Sequence, residues 1–350
     1  MGRFFWKLGL LIIIGSFGTN LFAAEVGRIK LVGAGATFPY PLYHKMFEVF
    51  ERQGDIKIHY KAIGSGGGIE QLIKKAVDFA GTDAFMTEKE LRRAGDPIVQ
   101  IPTGLGGVVL VYNLPFNPKL RFTPEVLADI FLGKINKWND PRLSAINPGL
   151  KLPEMNIAVV HRSDGSGTTH IFTDYLSKIS SQWREKIGLG KTLPWPVGIG
   201  AKGNPGVAGL VKQIPGSIGY VELIYALGND MTVGLIKNKT GSFIEPSTES
   251  VSLAANVALP EDTHISLTDT ASPEGYPISG FTWVALYKEQ GYEGRSREKA
   301  RKLAKLLWWM VHEGQRYARP LHYAPLPEEA VRKADTLLKG LTYEGQPLWP

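Results

Sequence analysis

Apolar and polar positions along this 350-residue chain follow two alternating spacings. Alternation every second residue, or a short β-branched run, marks strands at "VGRIKLVGAG", "IKIHYKAIG", "FAGTD", "GGVVLVYN", "MNIAVVHR" and "GFTWVALYK". Apolar positions three and four apart mark helices at "YPLYHKMFEVFERQG", closed by Gly54, and at "IEQLIKKAVD", where Ile69, Leu72, Ile73 and Ala76 share one face. The same spacing predicts helices at "PEVLADIFLG", "THIFTDYLSKI", "GVAGLVKQI" and, the longest, "REKARKLAKLLWWMVHEG". Ahead of "GVAGLVKQI", Asn204 is placed to cap the helix and Pro205 to open it. Strands alternating with helices predict an α/β protein with mainly parallel sheets. No internal repeat or low-complexity linker interrupts the pattern.

The densest basic stretch, Arg295 to Lys305, coincides with the longest helix. It reads as a solvated face opposite an apolar side made of Ala300, Leu303, Ala304 and Leu307. The Trp308-Trp309 pair falls among Leu306, Leu307, Met310 and Val311 at helix spacing, which predicts core rather than a binding platform.

The chain starts with a different pattern. Arg3 and Lys7 precede an apolar run from Leu8 to Ile14, and small residues follow, ending in "LFAAE". That layout predicts an export signal over residues 1–24, cleaved near Ala23 or Ala24. A membrane anchor would need about 20 apolar residues, and Gly15, Ser16, Gly18, Thr19 and Asn20 break the run too early. Without Arg3 and Lys7, the 40 basic residues become 38 against 33 acidic, a net charge near +5. So mild an excess suits an anionic ligand but not nucleic acid, which calls for a concentrated basic stripe. No cysteine is present, which excludes disulfides, thiolate metal sites and a lipid-carrying cysteine. A soluble exported protein is expected. Its roughly 325 mature residues suggest two lobes of about 150 each.

Three glycine-rich turns each run straight into a predicted helix: "GAGATFPYP" (33–41), "IGSGGGIEQ" (63–71) and "RSDGSGTTH" (162–170). A helix N-terminus exposes unpaired N–H groups and about half a positive charge, so it attracts anions. One such turn alone is an ordinary helix cap. Three, two of them with a charged residue nearby, point to an anion site.

Competing motifs fail on their letters. "GAGATF" has Phe38 where a dinucleotide fingerprint needs glycine or alanine. "GIGAKG" (198–203) satisfies G-x-G-x-x-G, but Pro194 and Pro196 break the strand that should precede it. "GLGKT" (188–192) has Glu185 where a phosphate-binding nucleotide loop needs its first glycine. Ser166 is not in a nucleophile elbow, because Asp164 and Thr168 replace the two flanking glycines. The seven histidines, His161 and His170 included, show no triad or metal-ligand spacing. No pair of carboxylates is singled out for sugar hydrolysis, although sequence alone leaves one open.

What remains is the hydroxyls of Thr37, Ser65, Ser166 and Thr168 with neighbouring amides, the charge of Arg162, and Asp83 in "GTDA". These suit a small tetrahedral oxyanion, with Arg162 supplying charge-assisted hydrogen bonds. Asp164 has two readings: a partner that holds the guanidinium, or an aspartate favoured by the helix dipole.

Taken in order, "GAGATFPYP", "IGSGGG", "DFAGTDA", "PTGLGGVVLVYN", "FLGKINKWNDP", "NIAVVHRSDGSGTTHIFTDYL" and "GNPGVAGLVKQIPGSIGYVE" resemble the periplasmic phosphate-binding proteins of phosphate-specific ABC transporters, end to end. The resemblance implies a two-lobed periplasmic-binding-protein fold of type II, in which mainly parallel sheets flanked by helices are joined by crossover hinge segments. It implies phosphate bound between the lobes by Thr37, Phe38 (through its backbone), Ser65, Asp83, Arg162, Ser166, Gly167 and Thr168, with Asp164 paired to Arg162. Lobe I would comprise residues 25–112 and 284–350, and lobe II residues 113–283. Transmembrane permease subunits are the implied partners, with no cofactor, no metal, no catalysis and a monomeric state. Two positions depart from the family pattern. Gly66 stands where a second serine is common, and His161 where a second arginine is common.

Asp83 is at first sight wrong beside an anion. An ionised carboxylate only accepts hydrogen bonds, so it matches an oxyanion that keeps a proton, as phosphate and arsenate do and sulfate does not. Its ordinary reading is a strand-end residue capping a turn. An exported phosphatase using Ser166, or a receptor for sulfate, molybdate or tungstate, stay as alternatives at this point.

Overall fold

The computed structural model of the chain describes residues 28–349; the expected export signal lies outside them. Its strands, in chain order, are β1 (Ile29–Gly35), β2 (Ile56–Ala62), β3 (Phe79–Thr82), β4 (Ile98–Tyr112), β5 (Arg121–Phe122), β6 (Ala158–Arg162), β7 (Ile199–Ala201), β8 (Ser217–Glu222), β9 (Leu235–Lys237), β10 (Phe243–Ile244) and β11 (Ser279–Tyr287), with a short terminal pair, β12 (Thr342–Tyr343) and β13 (Gln346–Pro347). Eight of them form one sheet in the order β2-β1-β3-β11-β4-β8-β6-β7, and β10-β9-β5 form a small second sheet. The eight-stranded sheet is flanked by helices, in the two-lobed α/β architecture expected.

Each end of this sheet is parallel. β1 pairs in parallel with β2 and β3, and β6 does so with β7 and β8. The middle is antiparallel: β11 pairs with β3 and β4, and β4 with β8. The parallel expectation therefore holds for the two ends, while the strands that join them run antiparallel. β4 belongs to both halves, pairing with β11 over Ile98–Gly107 and with β8 over Val108–Tyr112. Thirteen of its fifteen residues are buried, as befits a strand covered on both faces.

Sequence pattern found only the second half of β4, because Pro102 and Gly104 interrupt the first. Pro102 is tolerated because the register against β11 slips between Thr282 and Trp283, opposite it, so the missing N–H falls at an irregularity. Other elements escaped the pattern too, among them β8, the helix Glu88–Ala94 with its Thr87/Glu90 capping box, and the helix Glu328–Lys339.

The longest predicted helix spans Arg297–Val311 and buries Ala300, Leu303, Ala304 and Leu307 as anticipated. Trp309 is buried, and Trp308 stacks on Trp349 and His312. One correction concerns Arg295, which is not solvated. It lies before the helix, buried, with Nη1 2.5 Å from Asp78 Oδ1. The other carboxylate oxygen of Asp78 accepts from the Val32 N–H at 2.7 Å, so this ion pair ties the segment to β1. The helix expected to be capped by Asn204 starts two residues earlier, spanning Gly203–Gln213 with Lys202 at the cap position. Asn204 thus lies inside its first turn and its side chain is free for another use.

Candidate functional site

All three glycine-rich turns run into helices where the sequence placed them. β1 ends in Gly35 and leads through Thr37 to the helix Tyr40–Glu51; Gly64 caps Ser65–Ile73; Ser166 caps Gly167–Ile179. Ser166 does so by accepting the Thr169 N–H on its Oγ at 3.0 Å. Asp83 follows directly on β3, and Arg162 is the last residue of β6. Gly64 has φ +90°, and a Cβ there would run into the Asp164 carboxylate and the Gly165 carbonyl. Only glycine fits.

These turns come from opposite halves of the sheet and meet face to face. Ser65 Oγ accepts the Gly167 N–H at 3.1 Å and the Asp83 N–H at 3.3 Å. Gly66 N–H donates to the Gly165 carbonyl at 2.8 Å. A Cβ on Gly167 would lie 2.5 Å from Asp83 Oδ2 and 2.6 Å from Ser65 Oγ, so glycine is required for this approach. On the other flank, Thr37 Oγ1 accepts from Asn204 N at 3.1 Å and Asn204 Nδ2 at 2.9 Å. Thr37, Ser65, Asp83, Arg162, Ser166 and Thr168 are all buried. Phe38 is buried as well, its carbonyl accepting from the Tyr323 hydroxyl at 2.5 Å.

Arg162 is gripped from one side. Nε and Nη2 donate to the two carboxylate oxygens of Asp164 at 2.7 and 2.5 Å, and Nη1 donates to Thr168 Oγ1 at 3.2 Å. A guanidinium carries five N–H groups, so two remain for a ligand. Asp164 also accepts the Gly203 N–H at 3.0 Å. Burial works to raise its pKa, but the Arg162 fork, with help from Gly203, outweighs it and holds the carboxyl below the usual range. Of the two readings of Asp164, the partner of Arg162 is the one the geometry carries.

Asp83 behaves oppositely. Burial pushes its carboxyl up to about 7, against the pull of the Thr282 hydroxyl (2.7 Å from Oδ1), Arg162 and Ser65. The site is therefore a set of donors around one acceptor. Hydroxyls, the Gly167 amide, two free guanidinium N–H groups and the N-termini of the helices Ser65–Ile73 and Gly167–Ile179 all favour negative charge. Asp83 alone is set against it.

The nucleophile reading of Ser166 finds no support in these contacts. Its Oγ is engaged as a helix cap, and among the described residues no histidine hydrogen-bonds to it. His161 stacks on Trp195 with ring centroids 4.8 Å apart, and His170 packs edge-on to Phe85, its pKa pushed down to about 4 by burial. Among the described residues no cluster of His, Cys, Asp or Glu is placed to hold a metal ion.

Sequence reasoning missed several participants, among them Thr282 beside Asp83, Asn204 and Lys191. Asn204 was read as a cap, yet it touches both Thr37 and Thr168; only a buried amide at a helix start could have hinted at that. Lys191 Nζ lies 2.7 Å from Glu90 Oε2 with both side chains mostly buried, which clips the two halves together at the edge of the site. Its signal was hidden inside the discarded "GLGKT". The departure at Gly66 has a local reason: a Cβ there would press on Gly165 Cα at 3.1 Å.

A family model described as a PBP superfamily domain matches residues 23–313. The phosphate-binding protein PstS of Xylella fastidiosa is 42% identical over 320 residues, covering 89% of this chain and 86% of its own. The chain belongs to the PstS family within the PBP superfamily. The PstS of Pasteurella multocida is 41% identical over 337 residues, covering 94% of this chain and 96% of its own. A solved phosphate-binding protein from Stenotrophomonas maltophilia superposes with a TM-score of 0.68 at 19% identity, over 89% of this chain and 93% of that one, and so shares the fold. Members of this family are binding proteins, which agrees with the absence of a catalyst in the sequence reading.

Proposed function

We propose that this chain is an exported receptor that closes its two lobes over inorganic phosphate and hands it to the membrane permease of an ABC importer. The observation that carries the reading is the donor set from both halves of the sheet converging on one buried acceptor, Asp83. Named phosphate-binding relatives covering most of the chain support it. In this reading Thr37, Phe38 (by its amide), Ser65 and Asp83 hold phosphate from lobe I, and Arg162, Ser166, Gly167 and Thr168 from lobe II. Asp164 steers Arg162.

We take lobe I as residues 25–112 with 284–350 and lobe II as 113–283. The change of partner in β4 between Gly107 and Val108, and the start of β11 at Ser279, support a bending point in the crossover strands close to these bounds. The anion holds the closed form because it bonds to both sides. Among the described residues no helix is long and apolar enough to cross a membrane. Cleavage near Ala23 or Ala24 and release into the periplasm as a monomer complete the reading.

Titration calorimetry of the purified protein with phosphate, arsenate and sulfate tests it. Tight binding of phosphate, competition by arsenate and poor binding of sulfate are expected. Preference for sulfate or molybdate would move the chain to another oxyanion, and turnover of a generic phosphate ester would make it an enzyme.

A further inference from the structure

Asn204 lies on the lobe II side and makes contacts that no ordinary helix start requires. It is fully buried. Its Nδ2 donates to Thr37 Oγ1 at 2.9 Å and to Thr168 Oγ1 at 3.1 Å, and its backbone N–H donates to Thr37 Oγ1 at 3.1 Å. Its Oδ1 accepts the Glu222 N–H at 2.9 Å. That last bond settles which way the amide faces, because a backbone N–H can only donate and so needs the oxygen. The NH2 must then face the two threonines.

A hydroxyl has one hydrogen to give and two lone pairs with which to accept. Both lone pairs of Thr37 Oγ1 are engaged by Asn204. Both lone pairs of Thr168 Oγ1 are engaged as well, one by Asn204 and the other by Arg162 Nη1 at 3.2 Å. The only unused valence of each hydroxyl is its hydrogen. We infer that Asn204 is a positioning residue that turns Thr37 and Thr168 into obligate hydrogen-bond donors toward the bound oxyanion, one from each lobe. This rests on the oxyanion reading of the site and deepens it. With both threonines unable to accept, a ligand P–O–H finds no partner there, and its proton is directed to the acceptor, Asp83. The amide thus orients the ligand as well as attracting it, and it excludes ligands that can only donate at those two positions, such as ammonium.

A double-mutant cycle in calorimetry tests this. Asn204→Ala should weaken phosphate binding by about 10- to 100-fold, the range for two charge-assisted hydrogen bonds lost or misdirected. In a Thr37→Val/Thr168→Val background, the same substitution should change affinity by less than about threefold, since the groups it acts through are gone. With either threonine alone replaced, an intermediate loss is expected. Asn204→Asp keeps an acceptor for the Glu222 N–H and serves if the alanine variant does not fold. Having no donor, it draws both threonine hydrogens to itself and should bind worse than wild type by more than it does in the valine background. Thermal melting without ligand provides the structural control: a merely structural residue lowers the melting temperature and adds the same fold-loss in every background. Equal losses in both backgrounds, or no loss in the wild-type background, overturn the inference. If wild type refuses phosphate but binds another oxyanion, the functional reading falls, and the same cycle run with that oxyanion still decides the role of Asn204. If it binds no oxyanion, both fall.

Discussion

Replacing Asp83 with asparagine perturbs the one acceptor in a site otherwise composed of donors. Its Oδ1 is held by the Thr282 hydroxyl at 2.7 Å, while Oδ2 lies against Gly167 and Ser65. In Asp83→Asn the amide oxygen is expected to keep the Thr282 bond, and the NH2 then takes the place of Oδ2. A site that hydrogen-bonds a ligand hydroxyl rejects the analogue lacking it by about 10⁴- to 10⁵-fold, or roughly 5–7 kcal/mol. Wild type should therefore prefer phosphate to sulfate by that order. The amide gives sulfate a donor in place of a repelling lone pair and takes from phosphate the acceptor for its proton. At about 1–3 kcal/mol for each change, the preference should shrink by two to four orders of magnitude.

The pH dependence has a definite sign. Burial raises the folded-state pKa of Asp83 to about 7, above an unfolded value near 4. Below about pH 7 the unliganded protein protonates Asp83, which can then donate, so sulfate binding to wild type should strengthen as pH falls through 7 and stay flat in Asp83→Asn. The same shift makes unliganded stability complete below pH 4 and progressively lost as pH rises to about 7, by roughly 4 kcal/mol in all. Asp83→Asn should lack this contribution, so its melting temperature should fall less than that of wild type as pH rises across that window. Calorimetry with both anions at pH 5.5 and 8, alongside thermal melts, reads each effect. Wild type binding sulfate as tightly as phosphate, or an unchanged ratio in Asp83→Asn, would refute the reasoning.

Arg162→Ala should weaken phosphate binding by about 2–5 kcal/mol, because it removes the one full positive charge in the proposed ligand set; Arg162→Lys should fall between, lacking the planar fork. Affinity within twofold of wild type in the alanine variant would remove Arg162 from the site. Small-angle scattering should show a smaller radius of gyration with phosphate than without, and identical profiles would count against hinge closure. Lys191→Ala breaks the mostly buried pair with Glu90 across the two halves and should speed phosphate release by roughly three- to tenfold in stopped flow with little change in association; an unchanged release rate means the pair does not latch the closed form.

Local signals proved legible wherever the chemistry is local. Ser166 as a helix cap, the serine and glycines that start Ser65–Ile73, and the buried stripe of Arg297–Val311 follow from capping and periodicity over a few neighbouring residues. The first half of β4 did not, because its proline and glycines are accommodated only by an irregularity in the partner strand. Arg295 looked solvated until Asp78, 217 positions away in sequence, was brought beside it.

The amino-acid sequence by itself determined the alternation of strands and helices, the three glycine-rich turns that open helices, and the residue types suited to a small oxyanion, since each depends on contacts within about one turn of chain. The tertiary structure alone decided that the sheet's two parallel ends are joined through antiparallel crossover strands, because pairing partners are not encoded in the period of either strand. It alone brought Ser65 to Gly167 and Thr37 to Asn204, separations of 102 and 167 residues. It alone set the charge state of Asp83, for desolvation is a property of what surrounds a carboxyl and not of the carboxyl itself.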